Sequence, residues 1–316
     1  MRAPVPLRPR KPEVLAPAGS LDALKAALAA GADAVYFGLQ EGFNARARAG
    51  NFTLDGLPDT VARIHRAGAR AYLTLNTLIF EPELTFVERV LRGAVAAGVD
   101  ALIVQDPAVC VLARLVAPEL ELHASTQMTV SSPEGAVFAR SLGCTRVVLP
   151  RELSVDEVRK FMEGSDVETE VFIHGALCVS WSGQCLTSEA WGGRSANRGE
   201  CAQSCRMPYD LVVDGAAREL GDVAYLLSPK DLAGLRAVPE LAAIGVHGLK
   251  VEGRQKGPQY VATAVAAYRR LTDATPPGSA PPEAAVEAAR RDLLATTLSY
   301  SRGVSDGFLA GSDHQT

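Results

Sequence analysis

No uninterrupted apolar stretch in these 316 residues is long enough to cross a bilayer, because a spanning helix needs about 20 such residues. No apolar run after the N-terminus reads as a secretion signal either. The expected location is therefore the cytoplasm. A basic excess is also missing: 32 Lys and Arg face 36 Asp and Glu, for a formal net charge of −4. That balance excludes a global electrostatic footprint for nucleic acid and leaves room only for a local patch. HExxH is absent, and nothing resembles the strand-to-helix nucleophile elbow of serine hydrolases. In a reducing interior, the six cysteines read as ligands, catalytic groups or small buried residues before they read as disulfides.

What is present is alternation. Short aliphatic runs are separated by helical segments, and eight such runs can be counted: EVLAPA, AVYFGL, RAYLTLN, ALIVQD, ELHAST, RVVLPR, EVFIHG and HGLKVEG. Near-continuous apolar runs suit parallel strands buried on both faces. Ser20 caps the first helix and Gly31 stops it. GADAVYF, GVDALIV and GVHGLKV form a faint repeat that places a glycine just before a strand. The expected fold is an α/β, TIM-like (β/α)8 parallel barrel, which takes ~250 residues. A doubly wound open sheet is the runner-up.

The expected organisation is a disordered leader over 1–12 and a barrel over 13–272. A proline-rich linker then spans 273–283, with a C-terminal helix and tail over 284–316. The leader carries four basic residues. An insertion over 176–227 is far too long for an ordinary β/α loop, and such loops usually carry function. It holds a hairpin expected from YDLVVDG and ELGDVAYLLS, and Ser228–Pro229 should open the next helix. The end of the chain shows no closing element, which suggests the first part of a longer protein.

Cys178, Cys185, Cys201 and Cys205 lie in the insertion with spacing C-x6-C-x15-C-x3-C. Four thiolates can hold an iron–sulfur cluster or a zinc ion. Zinc sites favour tight knuckles, which only Cys201 and Cys205 approach. The wide first spacing suits a cubane cluster, and GGRSANRGEC offers backbone N–H groups close to its sulfides. Free thiols or one redox disulfide remain the alternative. Cys110 and Cys144, outside the group, read as buried apolar residues.

Barrel enzymes work at the C-terminal ends of their strands, and polar residues interrupt the runs there. The third run ends at Asn76, the fourth at Gln105 and Asp106. The fifth continues through His123, Ser125 and Gln127, the sixth ends at Arg151 and Glu152, and the seventh at His174. The eighth gives Lys250 and Glu252 on one side, then Arg254; the loop after the second adds Asn44, Arg46, Arg48 and Asn51. We expect a pocket at this mouth lined by His123, Gln127, His174, Lys250, Glu252 and Arg254, with Asn76 and Arg46 as further substrate contacts. Lys250 and Glu252 should point inward together, for chemistry or as a plugging ion pair. Glu252 could accept a proton or hold Lys250. His174 is a proton-transfer candidate or a core histidine, and with Cys178 it makes one conceivable base–nucleophile pair.

Several segments together resemble the collagenase-like peptidase family, peptidase family U32. They are EVLAPAGSLDALKAALAAGADAVYFGLQEGFNARARAGNF, HASTQMTV, RVVLPRELS, FIHGALCVSWSGQCLTSEAWGGRSANRGECAQSCRMPYDL, LLSPKDLAGL, GLKVEGR and SRGVSDGF. Some members are collagen-degrading. The resemblance also implies members that hydroxylate tRNA or rRNA bases, or the ubiquinone ring, without molecular oxygen. The RNA enzymes among them draw on prephenate. It implies a 4Fe–4S cluster on four cysteines, here Cys178, Cys185, Cys201 and Cys205. The first three match best, and Cys205 fits the subgroup ending in C-x3-C, which includes the RNA-modifying type. The implied partners are an RNA or small aromatic substrate and prephenate.

Overall fold

The computed structural model describes residues 5–46, 49–299 and 302–311, so Arg48 of the expected polar set lies outside the described residues. Eight parallel strands form the barrel: β1 (Glu13–Ala18), β2 (Ala34–Phe37), β3 (Arg70–Leu75), β4 (Ala101–Val104), β5 (Glu121–Ala124), β6 (Cys144–Val148), β7 (Glu168–Gly175) and β8 (Gly248–Val251). Each pairs with the next in order, and β8 closes the ring by pairing with both β7 and β1. All eight expected runs are strands, and the closed barrel rather than the open sheet is the outcome.

The helices follow the strands: α1 (Leu21–Ala29), α2 (Leu57–Arg66), α3 (Leu84–Ala97), α4 (Pro107–Val116), α5 (Pro133–Ser141), α6 (Val155–Gly164), α7 (Val238–Ile244) and α8 (Pro258–Ala274). Their ends obey local chemistry. The Ser20 hydroxyl accepts the Ala23 N–H at 3.2 Å to start α1. Ser154 and Glu157 form a reciprocal capping box on α6. Val155, Val158, Phe161 and Met162 then bury one stripe of that helix against the sheet. Near the C-terminus, α9 (Glu283–Ser299) packs on α8 after the proline-rich turn and buries Ala289 and Leu293.

The glycine-stop repeat has a structural explanation. The third residue of each copy reaches back to cap the preceding strand. Asp33 accepts the Val14 N–H at 2.8 Å, Asp100 the Ala71 N–H at 2.6 Å, and His247 Nδ1 the Thr169 N–H at 3.3 Å. Three turns thus satisfy an otherwise orphaned donor at the barrel's N-terminal end.

The main apolar core lies between strands and helices. Inside the barrel, Leu15, Tyr36, Tyr72 and Ile103 of β1–β4 make a small apolar cluster. The remaining strands fill the interior with charge. Lys250 Nζ meets Glu170 Oε1 at 2.7 Å, and Arg146 binds Glu13 at 2.6 Å and Glu168 at 2.7 Å.

Three local expectations are corrected. The leader is tied down from Val5, whose N–H donates to Glu163 O at 2.7 Å, and Arg10 N–H donates to Ala242 O at 3.1 Å. The hairpin pairs Leu211–Val213 with Ala216–Arg218 around Asp214–Gly215, because both turn residues adopt positive φ there. Ser228–Pro229 opens no helix. Asp231–Ala233 instead forms a short strand antiparallel to the end of β7, pairing Leu232 with Gly175. That pairing returns the insertion to where it left the barrel and keeps its cysteines at the mouth.

Candidate functional site

A cavity of about 290 Å³ opens at the C-terminal end of the barrel. Tyr36, Asn76, Ile103, Phe172, Lys250, Glu252 and Arg254 form its barrel wall, and the insertion forms its outer wall. Of the expected residues, Gln127, Asn76, Arg46, Lys250, Glu252, Arg254 and all four clustered cysteines line it. The β2–α2 loop supplies Arg46, because Asn76 Oδ1 accepts the Ala45 N–H at 3.0 Å and fixes the loop. Asn76 Nδ2 donates to Ser125 Oγ at 3.1 Å, joining the ends of β3 and β5.

The charges sort into two tiers. Lys250 does not pair with Glu252 as expected. It pairs with Glu170 deeper in the barrel, and its ammonium sits 4.4 Å from the centre of the Tyr36 ring. Burial pulls the Lys250 pKa down, although Glu170 opposes this. Glu252, nearer the mouth, accepts from Arg46 Nε at 3.1 Å. Burial alone would raise its carboxyl, but Arg46, Arg151 and Arg254 outweigh it and hold Glu252 below the usual carboxylate range. Arg254 donates to Asn44 Oδ1 at 3.0 Å and Thr74 Oγ1 at 2.9 Å, and burial lowers its pKa to about 10. Arg151 stacks 3.8 Å over the Phe172 ring, with its Nε buried and lacking a hydrogen-bond partner. The mouth therefore holds Arg46, Arg151 and Arg254 around one carboxylate. Two glycines make this packing fit. A Cβ at Gly38 would sit 2.7 Å from Arg254 Nη1, and one at Gly175, at φ +102°, 2.7 Å from Glu252 O.

The cysteine loop is anchored from several sides. Arg206 donates to Leu177 O at 2.6 Å, Pro229 O at 2.6 Å and Ser228 Oγ at 2.8 Å, clamping both ends of the insertion. Arg198 bridges to Glu83 and to Leu78 O, fastening the insertion to the start of α3. Burial raises the thiols of Cys178 and Cys205. Burial acts the same way on Cys185, but hydrogen bonds from Ser180, Thr187 and Ser188 prevail and bring it below its ordinary value. Gln203 N–H points at Cys201 Sγ at 3.4 Å. Among the described residues, no three His, Cys, Asp or Glu side chains come close enough to hold a single metal ion. Cys110 and Cys144 are buried away from the cavity, on α4 and β6.

Two expected lining residues are elsewhere. His123 is fully buried below the cavity, edge-on to Tyr72 at 4.8 Å and 3.5 Å from Glu121. His174 faces the helix layer. A register shift between Lys250 and Val251 marks this stretch as irregular. The His174 ring lies 5.6 Å from both Tyr260 and Tyr268 of α8. Burial lowers the His174 pKa to about 4, so the ring is neutral at physiological pH. His174 and Cys178 thus face different layers and form no base–nucleophile pair. One G-x-S-x-G does occur, Gly303 to Gly307. Its Ser305 sits on a two-residue edge strand outside the cavity and accepts the Gly307 N–H, so it is no catalytic elbow. Tyr36, Phe172 and Trp181 line the cavity and carried no sequence signal beyond their place in apolar or insertion segments.

The sequence profile of Peptidase family U32 matches residues 19–316. The chain belongs to peptidase family U32. Curated U32 relatives differ in what their names state. A tRNA hydroxylation protein P1 of Bacillus subtilis is 41% identical over 270 residues, covering 84% of this chain and 64% of the relative. A 23S rRNA 5-hydroxycytidine synthase of Escherichia coli is 43% identical over 262 residues, covering 83% and 39%. A collagenase of Porphyromonas gingivalis is 37% identical over 312 residues, covering 95% and 73%. The chain thus spans less than two thirds of the two RNA-directed relatives. Among the described residues, no helix is long and apolar enough to cross a membrane.

Proposed function

We propose that this chain is an iron–sulfur enzyme that hydroxylates a base of tRNA or rRNA without molecular oxygen. The observation that carries the reading is that four cysteines and an arginine-rich rim share one cavity. The donor set fits a four-iron cluster on Cys178, Cys185, Cys201 and Cys205. Ligands of one ion are drawn together by bonds of ~2.3 Å, whereas a cubane spreads its thiolates over a wider span, which the C-x6-C-x15-C-x3-C spacing suits. Hydrogen bonds to Cys185 and Cys201 are of the kind that tunes a cluster's potential. Arg46, Arg151 and Arg206 offset the negative thiolates. When bound, the cluster supplies one-electron redox chemistry beside the substrate.

The protein's own groups then bind and orient. Arg46, Arg151 and Arg254 suit the carboxylates of a small oxygen donor such as prephenate, because guanidinium groups bind carboxylates in a fixed fork. Glu252, ionised by those arginines, is placed to accept a proton at its carboxylate from a group in the cavity. Asn76 and Gln127 offer polar contacts for the base edge. RNA-directed hydroxylation in two relatives supports the substrate class. The peptidase reading has the collagenase relative behind it, but His174 and Cys178 face apart.

The test is mass analysis of total RNA nucleosides from cells lacking the gene. One hydroxylated base should disappear and return on complementation. An unchanged nucleoside profile overturns the reading.

A further inference from the structure

Trp181 is 46% exposed, yet it lines the cavity beside Cys178 and Cys185. A large ring left half in water at a cavity mouth has an open face. Its backbone, by contrast, is pinned. Ser182 N–H and Oγ bind the Glu152 carboxylate at 3.1 and 3.2 Å, and Glu152 is itself 9% exposed. Thr129 Oγ1 donates to Ser182 O at 2.8 Å and accepts from Gln184 Nε2 at 3.1 Å. A Cβ at Gly183, at φ +79°, would stand 2.3 Å from Gln127 O, so only glycine permits this approach. The segment that follows the indole is thus fixed to the barrel through Glu152, Thr129 and Gln127. Tryptophan presents a wide rigid surface at small entropic cost when its backbone is already held.

We propose that Trp181 is the stacking platform that receives the target nucleobase at the cavity mouth, with Glu152 as the residue that positions it. This rests on the RNA-directed reading above. A base cannot be modified inside a duplex stack and must be taken out, and enzymes that do so replace the lost stacking with an aromatic surface. The cavity interior is cationic and suits phosphate or carboxylate, and its own rings, Tyr36 and Phe172, are already covered by the Lys250 ammonium and the Arg151 guanidinium. The indole adds an exposed aromatic face at the rim, suited to a neutral planar ring. Glu152 holds the platform through Ser182 and also bears on the charge of Arg151, so an abasic oligonucleotide separates a loosened platform from a changed cavity charge.

The test uses the cluster-containing protein and fluorescence anisotropy of a dye-labelled, mixed-sequence single-stranded RNA of about ten nucleotides, within the length such sites grip. An abasic oligonucleotide of the same length and charge is measured in parallel. Trp181→Ala should weaken binding of the base-bearing RNA by roughly 5- to 150-fold, the range spanned by loss of one stacked base. Binding of the abasic oligonucleotide should not change. Trp181→Phe should restore most of the difference, and Glu152→Gln should reproduce part of the loss. Equal weakening toward both oligonucleotides, as from a collapsed loop, overturns the platform. So does unchanged binding in Trp181→Ala. If the wild-type protein binds neither oligonucleotide nor unfractionated tRNA, the RNA-directed reading itself falls, and the platform with it.

Discussion

Arg46 Nε donates to Glu252 Oε1 at 3.1 Å across 206 positions of sequence, joining the loop after β2 to the residue that follows β8. This bond crosses the barrel's closure and sits where the cavity opens. Glu252 is 7% exposed and is the one carboxylate among Arg46, Arg151 and Arg254. Its charge thus both balances the site and is available to it.

Glu252→Gln keeps the shape and removes the charge. Three guanidinium groups then face each other with no carboxylate among them. Deleting one partner of a buried pair costs about 3–5 kcal/mol, but Arg46 is partly exposed, and surface pairs give far less. The expected cost is about 1–2 kcal/mol, visible as a modest drop in melting temperature. Turnover of the cluster-containing enzyme should be abolished while folding survives. Retained turnover would assign Glu252 a purely structural part.

Lys250 and Glu170 form the deeper pair, both nearly inaccessible to solvent. Lys250→Met leaves Glu170 with only Arg146, 3.6 Å away. We expect a loss of about 3–5 kcal/mol from the single change. Lys250→Met with Glu170→Gln should cost clearly less than the sum, because the stranded charge is gone. Additive losses in chemical denaturation would mean that the pair is not coupled.

The strands were legible because buried parallel strands need unbroken apolar runs, and glycine stops mark their starts. The cysteine group was legible from its spacing within one long loop. The partner of Glu252 was not, since nothing local links it to Arg46. Alternation gave Lys250 and Glu252 the correct face but could not say that they sit at different depths. Depth also misled for His123, which points inward from β5 but lies below the cavity that Ser125 and Gln127 line. His174 failed for another reason: the backbone irregularity opposite Val251 accompanies a ring turned to the helix layer, and irregularities of this kind carry no sequence mark.

The buried histidines set an acid limit on stability. Burial holds His174 at about 4, against an ordinary value of 6.5. As the pH falls through 6.5, the unfolded chain takes up a proton that the folded one refuses. Stability is therefore lost between 6.5 and about 4, and the loss levels off below that. For His174 the total is roughly 3 kcal/mol, at 1.36 kcal/mol for each pH unit of displacement. His247, also lowered to about 4 by burial and Arg10, adds a loss of the same sign. His174→Gln should flatten this slope in thermal melts and leave turnover within a few-fold. Loss of turnover with an unchanged slope would return His174 to the catalytic list.

The four clustered cysteines should behave as one unit and the other two as core. Replacing Cys178, Cys185 or Cys201 by serine should remove the visible absorbance of anaerobically purified protein. Cys205→Ser decides whether the C-x3-C pair supplies the fourth ligand: retained colour would move that ligand elsewhere. Cys110→Ala and Cys144→Ala should keep the colour and cost about 1–2 kcal/mol each, as small buried groups do. Removing iron with a chelator should release the insertion but not the barrel. The ring of eight strands has its own large core, and a chain this size needs no metal staple to fold. Proteolysis should then cut within the insertion while circular dichroism stays near that of the loaded protein. Global unfolding on chelation would show that the site also holds the barrel together. In that case the clamp of Arg206 on Leu177 and Pro229, rather than the β7 pairing of Asp231–Ala233 alone, would be the link between metal and fold.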